Sequence, residues 1–372
     1  MKSLGRLIAQ STEQRISEEM PLLSATLPAG YRVQIVFPPA CEPGSVIFAI
    51  RKQSTLNWSL DDYDKMGAFD STATEEVIDP NNIILCKLLK ENKLKEFLEK
   101  AVKWKKNIII SGGTSTGKTT FTNAALLAIP EEERLITVED AREVSLPQHH
   151  NRVHLLASKG GQGRANVTTQ DLIEACLRLR PDRIIVGELR GAEAFSFLRA
   201  INTGHPGSIS TLHADTPEMA IEQLKLMVMQ AGLGIPPGQI KDYILNVVEI
   251  VVQLKRGAKG RRYISQVYYK YADDFSAEQF KAVEDGTPVP PSPEKQPHEA
   301  ESEKSQERIK EIEEEFEKER LEKMAIAAEG QGEQPTQDPA STETAPPETP
   351  AQAQPAETAQ AQPFSATTTE TT

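Results

Sequence analysis

Short apolar runs alternate with longer amphipathic stretches between residues 107 and 255. The runs are four or five residues long and rich in isoleucine, leucine and valine, which is typical of strands. Helical patterns such as residues 121–128 separate them. This alternation predicts an α/β fold in which helices cover both faces of a sheet. We place the strands at residues 108–111, 135–139, 153–156, 183–186 and 208–212.

The first 53 residues carry a different pattern. Residues 4–10 are predicted to be helical. Residues 31–37 and 45–51 alternate between apolar and polar positions and are bounded by turns rich in proline and glycine, which predicts two strands. We interpret residues 1–53 as a small N-terminal α/β domain.

Two further segments complete the predicted folded region. Residues 54–105 are interpreted as a linker with helices at 59–66 and 85–105. The larger α/β core is placed at 106–272, and its last strands form a hairpin around residues 257–260. The hairpin strands are predicted at 250–255 and 261–269.

The last hundred residues differ in composition from the rest. The whole chain has a net charge of −12, yet residues 273–372 alone hold 24 acidic and 8 basic side chains. The other 272 residues hold 30 acidic and 34 basic side chains, a balance too small to indicate nucleic-acid binding. Pro, Glu, Ala, Gln and Thr dominate the end of the chain, which predicts an acidic low-complexity tail. Within it we predict a single charged helix at 299–329 and disorder beyond.

Cysteine content and hydropathy indicate the cellular compartment of the protein. Cys41, Cys86 and Cys176 are far apart and form no C-x-x-C pair, which argues against a disulfide framework or a zinc site. No apolar run approaches the roughly 18 residues that a membrane-spanning helix needs. We therefore expect a cytoplasmic protein without direct membrane insertion.

The strongest chemical signal is a glycine-rich turn directly after the first strand of the core. It has the G-x-x-x-x-G-K-T pattern of a phosphate-binding P-loop. Its glycines let backbone N–H groups approach phosphate oxygens, Lys118 would neutralise the β- and γ-phosphates, and the Thr119 hydroxyl would bind Mg²⁺. The predicted ligand is ATP with Mg²⁺. We predict nucleotide contacts from Gly112, Gly113, Thr114, Ser115, Thr116, Gly117, Lys118, Thr119 and Thr120.

Two other strands of the core end in carboxylates. Glu139 and Asp140 follow the strand at 135–139, where Glu139 could reach a metal-bound or attacking water. The alternative is that this pair only caps the next helical turn. Glu188 follows the strand at 183–186 after Gly187, where many P-loop proteins place an aspartate. We therefore assign the metal role of a Walker B residue to Glu188, together with Thr119.

Histidines and arginines supply further candidates. His205 and His213 bracket the strand at 208–212 and lack zinc-ligand spacing with a cysteine, so each is either structural or, for His213, a sensor of the γ-phosphate. Arg32 and Arg51 lie on the predicted N-terminal strands and are candidates for an arginine finger. An arginine finger could also come from a neighbouring subunit of a ring. The candidates around the core are Arg152, Arg164, Arg178, Arg180, Arg190 and Arg199.

Taken in order, these motifs resemble those of the hexameric secretion ATPases, and most closely the traffic ATPases of type IV secretion and conjugation systems. In that superfamily the P-loop is followed by an acidic box as at 137–140, a Gly-Glu Walker B as at 187–190, and a histidine box as at 204–214. The resemblance covers residues 20–270 and implies a RecA-like P-loop core. It implies that Glu139 is the catalytic glutamate, Glu188 the Walker B glutamate and His213 the phosphate sensor. Arg32 and Arg51 are similarly placed to N-terminal-domain arginines that reach the nucleotide.

The resemblance also implies a function. It suggests a homohexameric, Mg²⁺-dependent ATPase at the inner face of the cytoplasmic membrane, which works with inner-membrane components of a secretion machine. Its cargo would be a secreted protein or nucleoprotein. The chain lacks the paired cysteines of many type II secretion and pilus-assembly ATPases, although a pilus retraction motor remains an alternative. Alternatives of another class are a nucleic-acid-translocating motor and a non-hydrolysing scaffold that acts through the tail.

Two features depart from the family pattern. The P-loop begins only 111 residues into the chain, which leads us to expect a truncated N-terminal domain. The acidic tail is also not a standard part of the family, and its role stays open between a partner-binding arm, a solubilising tether and a neutral extension.

Overall fold

The computed structural model describes residues 1–53, 58–70, 78–158, 164–287 and 289. The predicted tail helix at 299–329 and the disorder beyond it lie outside the described residues. Ten helices occur in the described part: α1 (Lys2–Ser11), α2 (Leu60–Lys65), α3 (Pro80–Lys90), α4 (Leu94–Lys103), α5 (Lys118–Leu126), α6 (Thr169–Leu179), α7 (Glu193–Asn202), α8 (Pro217–Met229), α9 (Pro237–Val247) and α10 (Ala277–Asp285). The strands there are β1 (Leu22–Thr26), β2 (Arg32–Val36), β3 (Ile47–Arg51), β4 (Ile108–Gly112), β5 (Leu135–Glu139), β6 (Arg152–Leu156), β7 (Arg183–Val186), β8 (Ile209–Leu212), β9 (Ile250–Arg256) and β10 (Arg262–Tyr269).

A seven-stranded sheet forms the centre of the core. Its strand order is β10-β9-β4-β8-β7-β5-β6, and every neighbouring pair is parallel except the β9–β10 hairpin. Strands covered on both faces read as continuous apolar runs, which is why the sequence pattern located them. The carboxyl ends of β4, β5, β7 and β8 lie at one edge of the sheet, where open parallel sheets bind ligands.

Helices cover both faces of this sheet, as predicted. Side chains alternate between the faces along each strand, so Ile109 points to one side and Ile108 and Ile110 to the other. The Ile109 side packs against α6, α7, α8 and α9, and the opposite side packs against α3, α4, α5 and α10. The α/β class and the three-layer arrangement predicted from the sequence are therefore confirmed.

The first 53 residues form a separate small sheet of antiparallel strands in the order β1-β2-β3. Helix α1 packs on it, with Ala9 beside Ile35 and Phe37 in one apolar cluster. The segment after β2 meets the edge of the large sheet, because Cys41 forms a bridge with Leu155 of β6. The N-terminal segment is thus joined to the core through a backbone contact at the β6 edge.

Three elements differ from the sequence prediction. The helix predicted at 85–105 is two helices, α3 and α4, because the chain breaks at Asn92, whose φ is 58°, a left-handed conformation that asparagine tolerates. Strand β1 was not predicted, although Leu23 and Ala25 alternate inward. The folded part continues past residue 272, since Gln279 and Ala282 of α10 are buried and α10 packs on α3. The remaining domain boundaries stay predictions.

In the described part of the chain, no helix is both long enough and apolar enough to span a bilayer.

Candidate functional site

The predicted P-loop lies between the end of β4 and the start of α5. Gly117 caps the N-terminus of α5 with φ of 88°, a left-handed value that favours glycine, and Ser115 also has a positive φ of 60°. A Cβ atom on Gly112 would lie 2.8 Å from the backbone oxygen of Leu254. Gly112 and Gly117 are therefore required by backbone geometry, and the loop presents its N–H groups and the positive end of the α5 dipole to the cleft.

Lys118 brings together three residues predicted from separate motifs. Its Nζ donates to the backbone oxygen of Gly112 at 3.1 Å and lies 3.8 Å from Glu188 Oε1. The same Nζ lies 3.3 Å from Nδ1 of His213. Partial burial lowers the pKa of Lys118, and the Glu188 charge opposes that effect. The lysine is thus held at the mouth of the loop, where a phosphate would compete for it.

Glu188 is the centre of a charged network at the ends of β7 and β8. His213 Nε2 lies 2.8 Å from Glu188 Oε1, and Arg190 Nε donates to Glu188 Oε2 at 2.6 Å. Arg190 Nη1 also donates to Asp140 Oδ2 at 2.6 Å. Asp140 therefore belongs to this network. The side chain of Glu188 is 18% exposed, so it remains open to the cleft.

These residues surround a polar cleft of about 430 Å³ at the carboxyl edge of the sheet. Its lining combines backbone N–H groups, hydroxyls, carboxylates and cations, the chemistry that binds a polyphosphate with a hard metal ion. Of the predicted contacts, the lining includes residues 114–120, Glu139, Glu188 and His213. Gly112 takes part through its carbonyl oxygen, which accepts from Lys118.

Glu139 occupies a different environment from the one predicted. It is 4% exposed, and its Oε1 accepts from the backbone N–H groups of Glu143 at 2.8 Å and Val144 at 2.6 Å. Its Oε2 accepts from the Thr137 hydroxyl at 2.9 Å. Both carboxylate oxygens are already engaged, which argues against Glu139 as the residue that activates water. The alternative that Glu139 caps the next turn describes this residue better, since its carboxylate anchors the turn that follows β5.

Glu143 was not singled out by the sequence analysis. Its exposed side chain lines the cleft and accepts from the hydroxyl of Thr119 at 3.1 Å. Asn123 of α5 fixes the same turn, donating to the Glu143 carbonyl at 3.1 Å and accepting from the Ser145 N–H at 2.9 Å. The Glu-Asp-x-x-Glu spacing was the available signal, because it places a second glutamate one turn beyond the first.

Arg262 was also missed. It lies at the start of β10, lines the cleft, and approaches Gly117 so closely that a Cβ there would be 2.7 Å from Arg262 Cδ. The hairpin brings it to the P-loop from a position far along the sequence. No local pattern marks such a long-range contact.

Other predicted residues lie away from the cleft. Arg32 and Arg51 are paired directly across β2 and β3, and neither is among the described residues that line the cleft. Their predicted contact with a nucleotide stays a prediction. His205 Nδ1 lies 2.9 Å from the carbonyl oxygen of Pro181, a structural role.

His154 of β6 lies beside the turn that follows β5 and should make the stability of the fold pH-dependent. Burial, followed by the nearby charge of Arg142, lowers the pKa of this histidine from 6.5 to about 4. Glu42, Arg152 and Glu139 also face the ring. Between these two pKa values the unfolded chain binds a proton that the folded chain does not, so stability falls as the pH decreases. The expected loss through this group is about 2 kcal/mol between pH 7 and pH 5.

Urea denaturation of the wild type and of His154→Gln at both pH values measures this effect. Other groups titrate equally in the two proteins, so the difference between their unfolding free energies isolates His154. We expect the variant to lose about 2 kcal/mol less than the wild type on acidification. Parallel pH dependence in the two proteins would mean that His154 titrates normally.

The fold and the cleft define a P-loop nucleotide-binding protein with a parallel, RecA-like sheet. The P-loop, the acidic turn, Glu188 and His213 follow the ends of β4, β5, β7 and β8, four strands of one sheet. The chain belongs to the type II/IV secretion system protein family, whose family model matches residues 11–284.

Individual relatives agree with this assignment. The type IV secretion system protein VirB11 of Bartonella henselae is 38% identical over 283 residues, which cover 72% of this chain and 79% of the relative. The Bordetella pertussis type IV secretion system protein PtlH is 38% identical over 282 residues, or 73% of this chain and 81% of the relative. The crystal structure of the VirB11 ATPase from the Brucella suis type IV secretion system, in complex with sulphate, matches with a TM-score of 0.68 at 38% identity. That match covers 73% of this chain and 83% of the solved one.

These matches confirm two predictions made from the order of the motifs. The chain is related to the traffic ATPases of type IV secretion, and its functional class is that of a secretion-system ATPase motor.

Proposed function

We propose that this secretion ATPase hydrolyses Mg²⁺-bound ATP in the cleft at the P-loop, with Glu143 orienting the attacking water. The observation that carries the proposal is the convergence of Lys118, Glu188 and His213 within 3.8 Å of one another beside the loop. Phosphoryl transfer needs mainly positioning and cations to hold the charge on the transferred group. This cleft offers both.

The donor atoms fit Mg²⁺. The ion prefers oxygen ligands, keeps several waters and is usually held by one or two protein groups together with phosphates. The hydroxyl of Thr119 and the carboxylate of Glu188 are such groups. Bound there, the ion would neutralise negative charge on the phosphates. The Thr119–Glu143 hydrogen bond of 3.1 Å would then be exchanged for contacts with the ligand and its water.

The remaining residues have distinct roles in this proposal. Lys118 leaves the Gly112 carbonyl to contact the β- and γ-phosphates, and His213, hydrogen-bonded to Glu188, reports whether a γ-phosphate is present. Arg190 holds Glu188 and Asp140 in place through its guanidinium. Glu143 is exposed and can accept a hydrogen bond from water, whereas buried Glu139 already accepts from two backbone N–H groups and the Thr137 hydroxyl.

Comparing Glu143→Gln with Glu139→Gln tests this assignment. We expect Glu143→Gln to bind ATP normally and to lower kcat by about 10²–10⁴, the usual contribution of a general base. Glu139→Gln should mainly lower the free energy of unfolding, by about 1–3 kcal/mol, because the amide keeps one oxygen for the two backbone N–H donors but places its NH₂ group where Oε2 accepts from the Thr137 hydroxyl. Steady-state phosphate release, ATP titration and urea denaturation measure these quantities.

The opposite pattern would reassign the role. If Glu143→Gln turned over ATP at the wild-type rate while a stably folded Glu139→Gln was inactive, Glu139 would be the catalytic glutamate.

At the level of the assembly, we place the chain in a homohexamer at the cytoplasmic side of the inner membrane, bound to inner-membrane components of a type IV secretion machine. The type IV relatives support this placement. The cargo would be a secreted protein or nucleoprotein. Arg32 and Arg51, if they reach a nucleotide, would do so in the cleft of another subunit, since in their own chain they lie away from it. The role of the acidic tail stays open.

A further inference from the structure

A continuous line of hydrogen bonds runs beside the cleft, largely through the protein interior. Thr137 of β5 and His154 of β6 are opposite each other in the parallel register and are 0% and 3% exposed. The Thr137 hydroxyl lies 2.8 Å from His154 Nδ1 and 2.9 Å from Glu139 Oε2. On the other side of the ring, His154 Nε2 lies 2.7 Å from Nη2 of Arg142.

The donors and acceptors along this line can be assigned. An arginine side chain only donates, so Nε2 of His154 must accept and the ring proton must sit on Nδ1. Nδ1–H then donates to the Thr137 hydroxyl, which donates in turn to Glu139. The lowered pKa of His154 agrees with a neutral ring. Every polar atom on the line therefore has one consistent role, and removing the polar group of Thr137, His154 or Glu139 leaves a buried partner unpaired.

The two ends of the line lie in different parts of the fold. At one end, Glu139 holds the backbone N–H groups of Glu143 and Val144. At the other, Arg142 Nε donates to Oε1 of Glu42 at 2.9 Å. Glu42 belongs to the N-terminal segment and directly follows Cys41, the residue bridged to β6. The line thus begins in the N-terminal segment and ends at the turn that carries Glu143.

We propose that this line, from Glu42 through Arg142, His154 and Thr137 to Glu139, is a positioning relay that holds Glu143 in its active orientation only while the N-terminal segment is docked. The proposal rests on the role of Glu143 proposed above. Arg142 is the junction, because one guanidinium contacts both the N-terminal segment and the buried histidine. Movement of the segment would release Arg142, weaken the order of the turn and slow hydrolysis without affecting the P-loop.

A pair of substitutions at Thr137 separates the relay from simple packing. Thr137→Val keeps the shape and removes the hydroxyl, whereas Thr137→Ser keeps the hydroxyl and removes a methyl group. We expect Thr137→Val to lower kcat by about tenfold, as small misplacements do, with an unchanged dissociation constant for ADP. Thr137→Ser should retain most of the rate. If the serine variant is the slower of the two, packing is what matters and the relay is wrong.

The link to the N-terminal segment has a matched control. Glu42→Gln removes the charged partner of Arg142. Glu18→Gln is the control, because Glu18 forms a second ion pair between the N-terminal segment and the core, at 2.6 Å from Arg164. This second pair does not contact the relay. We expect Glu42→Gln to lower kcat by about threefold and Glu18→Gln to leave it unchanged. Adding Glu42→Gln to Thr137→Val should cause little further loss, because both break one line. Equal effects of the two glutamine variants, or fully additive losses in the double variant, would overturn the proposal.

Hydrogen exchange separates this inference from the proposed function. Glu139 protects the amides of residues 143 and 144, so Thr137→Val should speed their exchange by about tenfold whether or not Glu143 is catalytic. If exchange is faster in Thr137→Val but Glu143→Gln still hydrolyses ATP, the relay orders the turn and the catalytic role of Glu143 is rejected. If exchange is unchanged in Thr137→Val and Glu143→Gln is inactive, only the relay is rejected.

Discussion

Glu188→Gln is expected to keep ATP binding and to lower turnover by about 100-fold, the upper end of the range for groups that orient a metal ion and its ligands. The substitution removes the negative charge that lies 3.8 Å from Lys118 and replaces an acceptor of Arg190 and His213 with an amide. The Lys118 charge and the P-loop backbone remain, so affinity for the phosphates should persist. Phosphate release and equilibrium ATP binding, measured on the same preparation, give both quantities.

Glu222→Gln is the control for this variant. Glu222 is a glutamate of α8 that pairs with Lys225 and Lys241 and is not among the residues that line the cleft. The Glu222→Gln variant should hydrolyse ATP at the wild-type rate. A Glu188→Gln variant that is as active as Glu222→Gln would move the metal role to another residue.

Arg183→Met is expected to lower the free energy of unfolding by about 3–5 kcal/mol, the cost of breaking one side of a buried ion pair. Arg183 is 0% exposed, and its Nε and Nη2 donate to Glu133 at 2.7 and 2.8 Å. Its Nη1 also donates to the carbonyl oxygens of Val102 and Gly207. The guanidinium therefore ties β7 to α4 and to the loop before β8, and methionine can replace none of these bonds.

Equilibrium urea denaturation measures this loss. Replacing Glu133 by leucine in the Arg183→Met background should recover part of it, because this removes a carboxylate that has lost its buried partner and keeps only Lys105, at 3.6 Å. The exposed pairs of Glu222 provide the comparison, since Glu222→Gln should change stability by less than about 0.5 kcal/mol. If Arg183→Met lost as little stability as Glu222→Gln, water would have to reach the Arg183–Glu133 pair in the folded protein.

The sequence was most informative where structure depends on local pattern. Strands β4, β5, β7 and β8 are buried on both faces, so each appears as a continuous apolar run. The P-loop needs glycine at defined positions, and a motif of eight residues predicts it. Parallel strands end at one edge of the sheet, which is why Glu188 and His213, singled out from their motifs, lie beside the loop.

The misses depend on contacts that no local window contains. The family resemblance implied a catalytic role for Glu139, and only the folded turn after β5 shows that its carboxylate accepts from the N–H groups of Glu143 and Val144. That same turn aims Glu143 at Thr119, and the β9–β10 hairpin carries Arg262 to Gly117. The break at Asn92 also escaped notice, because the residues on either side continue an apolar stripe.

The central claim is that this chain hydrolyses ATP at its P-loop, and steady-state phosphate release with wild-type protein and Lys118→Ala tests it most directly. ATP binding should be titrated on the same samples. We expect Mg²⁺-dependent turnover by the wild type, and in the variant loss of both turnover and measurable ATP affinity, because the substitution removes the charge held at the Gly112 carbonyl that would contact the β- and γ-phosphates. Retained ATP affinity or turnover in a folded Lys118→Ala variant would contradict the account.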